Sequence, residues 1–345
     1  MIRFWHTDFM ISATKSSLGV REIKSLFNRI FPKIPVLKIG ELEDGCFNAS
    51  YVIQLDNRSE YVLKVAPPED VPILTYEKEM MSTEVFFHKL LTERTSIPLP
   101  KLIFSHLKGE DTASDYFIME KLHGFPLDKI GEVTIEMRKT LFLQLAGYLA
   151  QMHSIKGDYF GYPIMKESLR GQSYFESFLF MLDQVFHDGR VRNVSLPVPE
   201  KVLKELIGCF RNAFDEIKQS NFVHFDLWDG NIFVKNSDTN PEIEGLIDFE
   251  RGFYGDPAAD FSQVAGYIDL EKDEWFLEEY NRHVPVPFVL DKKAKNRIKL
   301  FRLYLFLIMV VESYYRDVEG SYNDQLKWSE GELVKLYEEL KGMMV

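Results

Sequence analysis

Cysteine is nearly absent: the 345-residue chain has two, Cys46 and Cys209, far apart and in no metal-type spacing. That excludes a disulfide framework or a cysteine-built metal centre and points to free thiols in a reducing compartment. Long hydrophobic runs are missing too. The longest, residues 303–311, spans nine residues, against the roughly 20 needed to cross a bilayer. The opening "MIRFWHTDFMISATK" holds no apolar stretch of signal-peptide length. Basic residues fall short of acidic ones, 41 against 53, giving a net charge of −12. Nucleic-acid binding needs a basic face, so no such partner is expected. The expectation is a soluble, cytoplasmic protein with no membrane partner. The acidic balance suits a cationic small substrate and equally suits plain self-repulsion in solution.

Internal repeats and low-complexity linkers are lacking as well. What is present is core material: 46% hydrophobic residues, with 28 Phe and 16 Tyr, enough for one large two-lobed domain or two ordinary ones. Up to about Lys38 the chain reads as helical and then turns at "FPKIPV". Two strand-like runs, "SYVIQL" and "EYVLKVA", flank "DNRS", which is good hairpin-turn material. A helical stretch over 72–93 closes at "TSIPLPKLIF". "DYFIMEKLHGFPL" reads as a buried strand running into a turn at Gly124, and from about Thr134 onward the pattern is mostly helical. A small β-rich front followed by a larger helical part, without a flexible linker, predicts two lobes around a cleft.

The densest polar cluster is "VHFDLWDGNIFV", residues 223–234, where His224, Asp226, Asp229 and Asn231 sit between two apolar, strand-like runs. Such groups are costly between buried strands unless satisfied or used. A second strand, "EIEGLIDFE", delivers Asp248 seventeen residues after Asn231. Hairpin-like strands on either side bring Asp226, Asn231 and Asp248 to one edge. Their oxygens suit Mg²⁺, a hard cation, and a carboxylate left off the metal can take a proton from a hydroxyl nucleophile.

With "HFDLWDGN", "LIDFE" and "GDPAADF" in this order, the chain resembles the aminoglycoside phosphotransferase and choline kinase superfamily from about Gly40 to its C-terminus. The resemblance implies an α+β, two-lobed, protein-kinase-like fold: residues 1–122 as a nucleotide-binding lobe with a helical N-terminal extension, and 123–345 as a helical catalytic and acceptor-binding lobe. It implies an ATP- and Mg²⁺-dependent small-molecule kinase, with GTP left open. Asp226 is the expected base, Asn231 and Asp248 the metal ligands, and His224 and Asp260 the braces of the loop. The family usually has Gly where this chain has Phe225, which bears on the backbone there. Asp229 reads as solvated and Trp228 as core.

Phosphate charge calls for a lysine on a rigid strand, and Lys64 in "YVLKVA" fits. Its counter-charge is Glu84, by its distance from "IPLP" in the family, with Glu77 the runner-up because seven residues put it on the same helical face. "GELEDGCFNASYV" takes the place of a nucleotide-covering loop, although GxGxxG is missing. Gly45, Phe47, Asn48 and Ser50 supply its backbone N–H groups, unless this is a plain hairpin tip. Adenine pairing is expected on the backbone at Glu120 to Leu122.

Asp260 follows Asp248 by only twelve positions, too few for a peptide-docking segment, and no APE triplet follows. The expected acceptor is therefore a small, cationic, hydroxylated molecule and not a protein. Its pocket is expected from residues 174–186 and the helix "RLYLFLIMVVESYYRD", with Glu250 and Glu312 facing it. Aminoglycoside-like compounds lead; choline, ethanolamine, sugars and amino alcohols are rivals. A catalytically dead nucleotide-binding relative is opposed by the presence of Lys64, Asp226, Asn231 and Asp248. A metal-dependent phosphohydrolase leaves Lys64 unexplained.

Overall fold

Strand alternation organises the first part of the computed structural model, which describes residues 12–15, 18–42, 47–107, 114–235 and 241–344. Helix α1 (Val20–Ile30) precedes strands β1 (Val36–Leu42), β2 (Ala49–Leu55) and β3 (Glu60–Val65). After helix α2 (Met80–Arg94) come β4 (Leu102–His106) and β5 (Tyr116–Glu120). The five strands form one antiparallel sheet in the order β1-β2-β3-β5-β4. The "DNRS" turn closes the β2–β3 hairpin as expected. Arg58 takes a left-handed conformation (φ 68°), and the Asn57 side chain accepts from the Ser59 N–H and hydroxyl at 3.1 and 2.6 Å.

Successive side chains point to opposite faces of a sheet. Tyr51, Ile53, Leu63 and Ile118 bury one face under Ile23, Leu26 and Phe27 of α1. Val62, Phe117 and Met119 cover the other against Met81 and Val85 of α2. Lys64 lies two residues from Val62, so its stem projects toward α2. The helix expected over 72–93 is split: Thr75–Glu79 is a 3₁₀ turn and α2 begins only at Met80. Phe87 of α2 stacks on Phe222 of the helical lobe, ring centroids 4.1 Å apart, so α2 is buried on two sides.

The second lobe holds helices α3 (Ile135–Ser154), α4 (Lys166–Leu169), α5 (Tyr174–Val191), α6 (Glu200–Gly208), α7 (Ala258–Val264), α8 (Trp275–Arg282), α9 (Lys292–Arg316) and α10 (Asn323–Gly342). Helix α9 runs through its centre, starting at an Asp291 cap whose Oδ1 accepts from the Ala294 N–H at 2.8 Å. Its 303–311 run is core, not membrane: no helix among the described residues is long and apolar enough to cross a bilayer. Tyr174, Phe175, Phe178 and Leu182 of α5 are equally buried, so the 174–186 stretch supplies core rather than an open acceptor wall.

Short strands carry the loops between these helices: β6 (Phe125–Pro126), β7 (Asn221–Val223), β8 (Ile232–Lys235), β9 (Glu242–Leu246) and β10 (Phe253–Gly255). The runs flanking the polar cluster do not pair with each other. β7 pairs with β10, and β8 lies between β6 and β9. The polar loop thus crosses from one small sheet to the other, and the β8–β9 hairpin returns the chain to it.

Candidate active site

Asp260, fully buried at the start of α7, organises the polar loop. Its carboxylate accepts from the Phe225 N–H at 2.7 Å and the His224 N–H at 3.0 Å, and it meets His153 Nε2 at 3.0 Å. His224 extends the brace: its Nδ1 accepts from the Asp226 N–H at 3.3 Å, and its Nε2 meets the Ile247 carbonyl at 2.9 Å. One imidazole therefore ties Asp226 to the residue before Asp248. Phe225 is left-handed (φ 60°), which accounts for glycine as the family's usual choice. Its ring is fully buried and stacks on Tyr304 at 5.7 Å.

Asn231 donates through Nδ2 to the Asp226 carbonyl at 2.8 Å and to Asp226 Oδ2 at 3.1 Å. Its Oδ1 makes no hydrogen bond among the described residues. Burial raises the Asp226 carboxyl; the Arg251 charge opposes that shift and Asp248 adds to it. Asp248 is itself left-handed (φ 68°), an uncommon conformation of the kind that gathers at functional sites.

Lys64 meets this group from the sheet. Its Nζ donates to Glu84 Oε1 at 2.8 Å and also to Asp248 Oδ1. Burial alone would lower the ammonium, but Asp248, Glu84 and Glu250 together hold it above its ordinary range. Burial, with the Asp248 charge, pushes Glu84 up to about 7 against the pull of Lys64. Glu250 is driven well above the carboxylate range, by burial first and then by Asp248. Glu84, Asp248 and Glu250 offer oxygens within 4.8 Å of one another, three carboxylates facing one ammonium. These carboxylate oxygens fit a hard divalent cation, and the Asn231 backbone carbonyl accepts from the N–H of Ile247, the residue before Asp248, at 3.2 Å.

Glu84 is the partner of Lys64, and Glu77 is not. Glu77 lies in the 3₁₀ turn and binds Arg316 Nη2 at 2.6 Å. Glu250 joins Asp248 from a 3₁₀ turn, Phe249–Arg251, and its Oε2 accepts from Asn48 Nδ2 at 2.7 Å. Asn48 thereby ties the start of β2 to the second lobe, and Ser50 lies opposite Lys64 in the β2–β3 register. Gly45 falls outside the described residues. At the connection between lobes the Glu120 N–H is spent on the Lys101 carbonyl and the Lys121 N–H on Glu60. The Leu122 N–H makes no bond among the described residues.

Two expectations are corrected. Glu312 faces no open cleft: it is 2% exposed, with Arg251 and Arg316 on Oε2 at 2.9 and 3.2 Å and Gln325 on Oε1. Asp229 is not solvated; it is buried in a two-pronged pair with Arg138 at 2.9 and 2.8 Å. Arg251, Arg138 and His153 were not singled out by sequence. Arg251 had a signal, as a basic residue directly behind "DFE", whereas Arg138 had none because its partner is 91 residues away.

The model of the phosphotransferase enzyme family matches residues 38–294. No curated protein matches in sequence. Among solved structures, a thermostable mutant of aminoglycoside phosphotransferase APH(4)-Ia, in ternary complex with AMP-PNP and hygromycin B, is similar at TM-score 0.59 and 14% identity, covering 92% of this chain and 97% of that one. A GDP complex of an aminoglycoside 2′-phosphotransferase-IIIa mutant is similar at 0.58 and 17%, covering 94% and 98%. A putative fructosamine-3-kinase from Thermobifida fusca YX is similar at 0.56 and 16%, covering 92% and 100%.

Proposed function

The chain belongs to the phosphotransferase enzyme family, and we propose that it moves the γ-phosphoryl group of ATP to a hydroxyl of a small molecule. GTP is the alternative nucleotide, since one similar structure holds GDP. The observation that carries the reading is the meeting of Lys64, paired to Glu84, with Asp248 beside the linked Asp226 and Asn231. A phosphohydrolase needs no strand lysine braced in this way.

In this reading Lys64 holds the nucleotide phosphates, and Glu84 keeps its ammonium in place. Asn48 and Ser50 edge the same face, and Gly45 belongs to the loop that covers the phosphates. The Leu122 N–H, with the backbone at Glu120, receives the base. Asp226 takes the proton of the acceptor hydroxyl as its oxygen bonds to phosphorus and the bond to the β-phosphate oxygen breaks, releasing the nucleoside diphosphate. Asn231 and Asp248, with Glu250 close by, would hold Mg²⁺, whose charge offsets that of the phosphates when bound. His224 and Asp260 fix the loop. The lobe boundary belongs after Leu122.

The acceptor is small and not a protein, because Asp248 and Asp260 are joined only by a 3₁₀ turn, β10 and a tight entry into α7. A cationic acceptor keeps the support of the net charge and of the hygromycin B bound by a similar structure. The test is an acceptor screen with ATP and Mg²⁺, read by a product mass gain of about 80 for each added phosphate, with casein as control. Transfer to a small hydroxylated compound but not to casein is expected. Efficient casein phosphorylation, or nucleotide binding with no transfer to any acceptor, would overturn the reading.

A further inference from the structure

The polar loop is held at both ends, and both holds start from α3. At its first residues, His153 meets Asp260, whose carboxylate accepts from the His224 and Phe225 N–H groups. Further along, Arg138 takes Asp229 with both prongs: Nη1 donates to Oδ1 at 2.9 Å and Nη2 to Oδ2 at 2.8 Å. Arg138 and His153 stand fifteen positions apart within α3. That is about four helical turns, so they share roughly one side of the helix.

Asp229 opens the single 3₁₀ turn Asp229–Asn231, so its position sets that of Asn231. The Ile232 N–H donates to the Asp229 carbonyl, and the Asn231 N–H to the Trp228 carbonyl at 3.0 Å. From the end of this turn the Asn231 side chain reaches Asp226. The turn has no slack, because a β-carbon on Gly230 would lie 2.3 Å from the Trp228 ring. The Asp229 N–H is also used, donating to the Tyr267 hydroxyl at 2.9 Å. The Arg138 guanidinium in turn sits 4.8 Å from the Tyr267 ring centroid and 5.2 Å from that of Phe142, one turn along α3. Two hydrogen-bond prongs and two rings therefore fix the guanidinium in direction as well as in place.

Stability alone is a poor account of this pair. Desolvation offsets much of what a buried ion pair gains, and exchange of such a pair for packed apolar residues is often neutral. What a two-pronged contact supplies is orientation. We infer that Arg138 is a positioning residue for phosphotransfer. Acting through Asp229, it holds the turn that aims the Asn231 side chain at Asp226 and at the place proposed for Mg²⁺. The inference rests on the phosphotransfer reading and adds to it a residue 91 positions before its partner. Arg138 serves by its planar fork and not by its charge, so lysine is no substitute.

The test is Mn²⁺ binding in the presence of AMP-PNP, followed by electron paramagnetic resonance on the full chain. Arg138→Lys, Arg138→Met and Asp229→Asn are compared with the unaltered protein, each with its own melting curve. Loss of a partner behind a metal ligand costs about 10–100-fold in metal affinity. Arg138 acts one step further out, so Arg138→Met and Asp229→Asn should each weaken Mn²⁺ roughly tenfold, well below their melting temperatures. Arg138→Lys should weaken it in the same direction by less. The double variant Arg138→Met/Asp229→Asn should lose no more than the worse single one, because the two residues act as a unit. Unchanged Mn²⁺ affinity in variants that merely melt earlier would make the pair structural and discard the inference. So would additive losses in the double variant, or a lysine variant that binds Mn²⁺ as the unaltered protein does. Failure of the unaltered chain to bind Mn²⁺ with AMP-PNP would instead remove the metal reading beneath it.

Discussion

Asp226 has two constraints that pull against each other. As the proposed base it must be ionised, yet burial and Asp248 raise its pKa. Activity should therefore climb with pH, with its acid limb above the ordinary carboxylate range near 4. Charge neutralisation at Asp248 by Mg²⁺ moves that limb back down. A pH–rate profile measured at low and saturating Mg²⁺ checks both directions. Asp226→Asn should cost about 10²–10⁴-fold in turnover, while calorimetry finds nucleotide affinity retained, because the side chain bonds Asn231 and not Lys64. A turnover number equal to that of the unaltered protein would remove Asp226 from the reaction.

Elements explain why some of the site was legible in the sequence and some was not. The spacing His224, Asp226, Asn231 could be read because a single loop fixes it, and Lys64 because β3 alternates. Glu77 and Glu84 could not be separated, since seven residues mean the same face only if the helix is continuous. It breaks at Glu79, and the 3₁₀ turn swings Glu77 to Arg316. Glu312 was misread because its burial depends on Arg251, 61 residues away. Phe225 shows local and tertiary demands in conflict. The left-handed backbone favours glycine by about 1–2 kcal/mol, while the buried ring is worth about 3–5. Phe225→Gly should therefore destabilise the protein by roughly 1–4 kcal/mol in denaturant unfolding. A stabilised variant would mean that backbone strain, not ring packing, sets the balance.

At the scale of the whole molecule, the site is a junction between lobes. Lys64 and Glu84 come from one side, Asp226, Asn231 and Asp248 from the other, and Asn48 reaches Glu250 across the gap. A ligand held at that junction should stiffen both halves. Nucleotide at about 100 times its dissociation constant is expected to stabilise the fold by roughly 2.7 kcal/mol, with Mg²⁺ required, and Asp248→Ala should abolish the gain. Equal thermal shifts with and without Mg²⁺ would exclude the metal site. The chain of buried charges running Glu77–Arg316–Glu312–Arg251 also constrains descent. Loss of any one member strands its neighbour's charge at a cost of about 3–5 kcal/mol, whereas exchange of the set for well-packed apolar residues is nearly neutral. Point-by-point drift is closed to these four positions. A change at one of them should therefore be tolerated only together with changes at the other three.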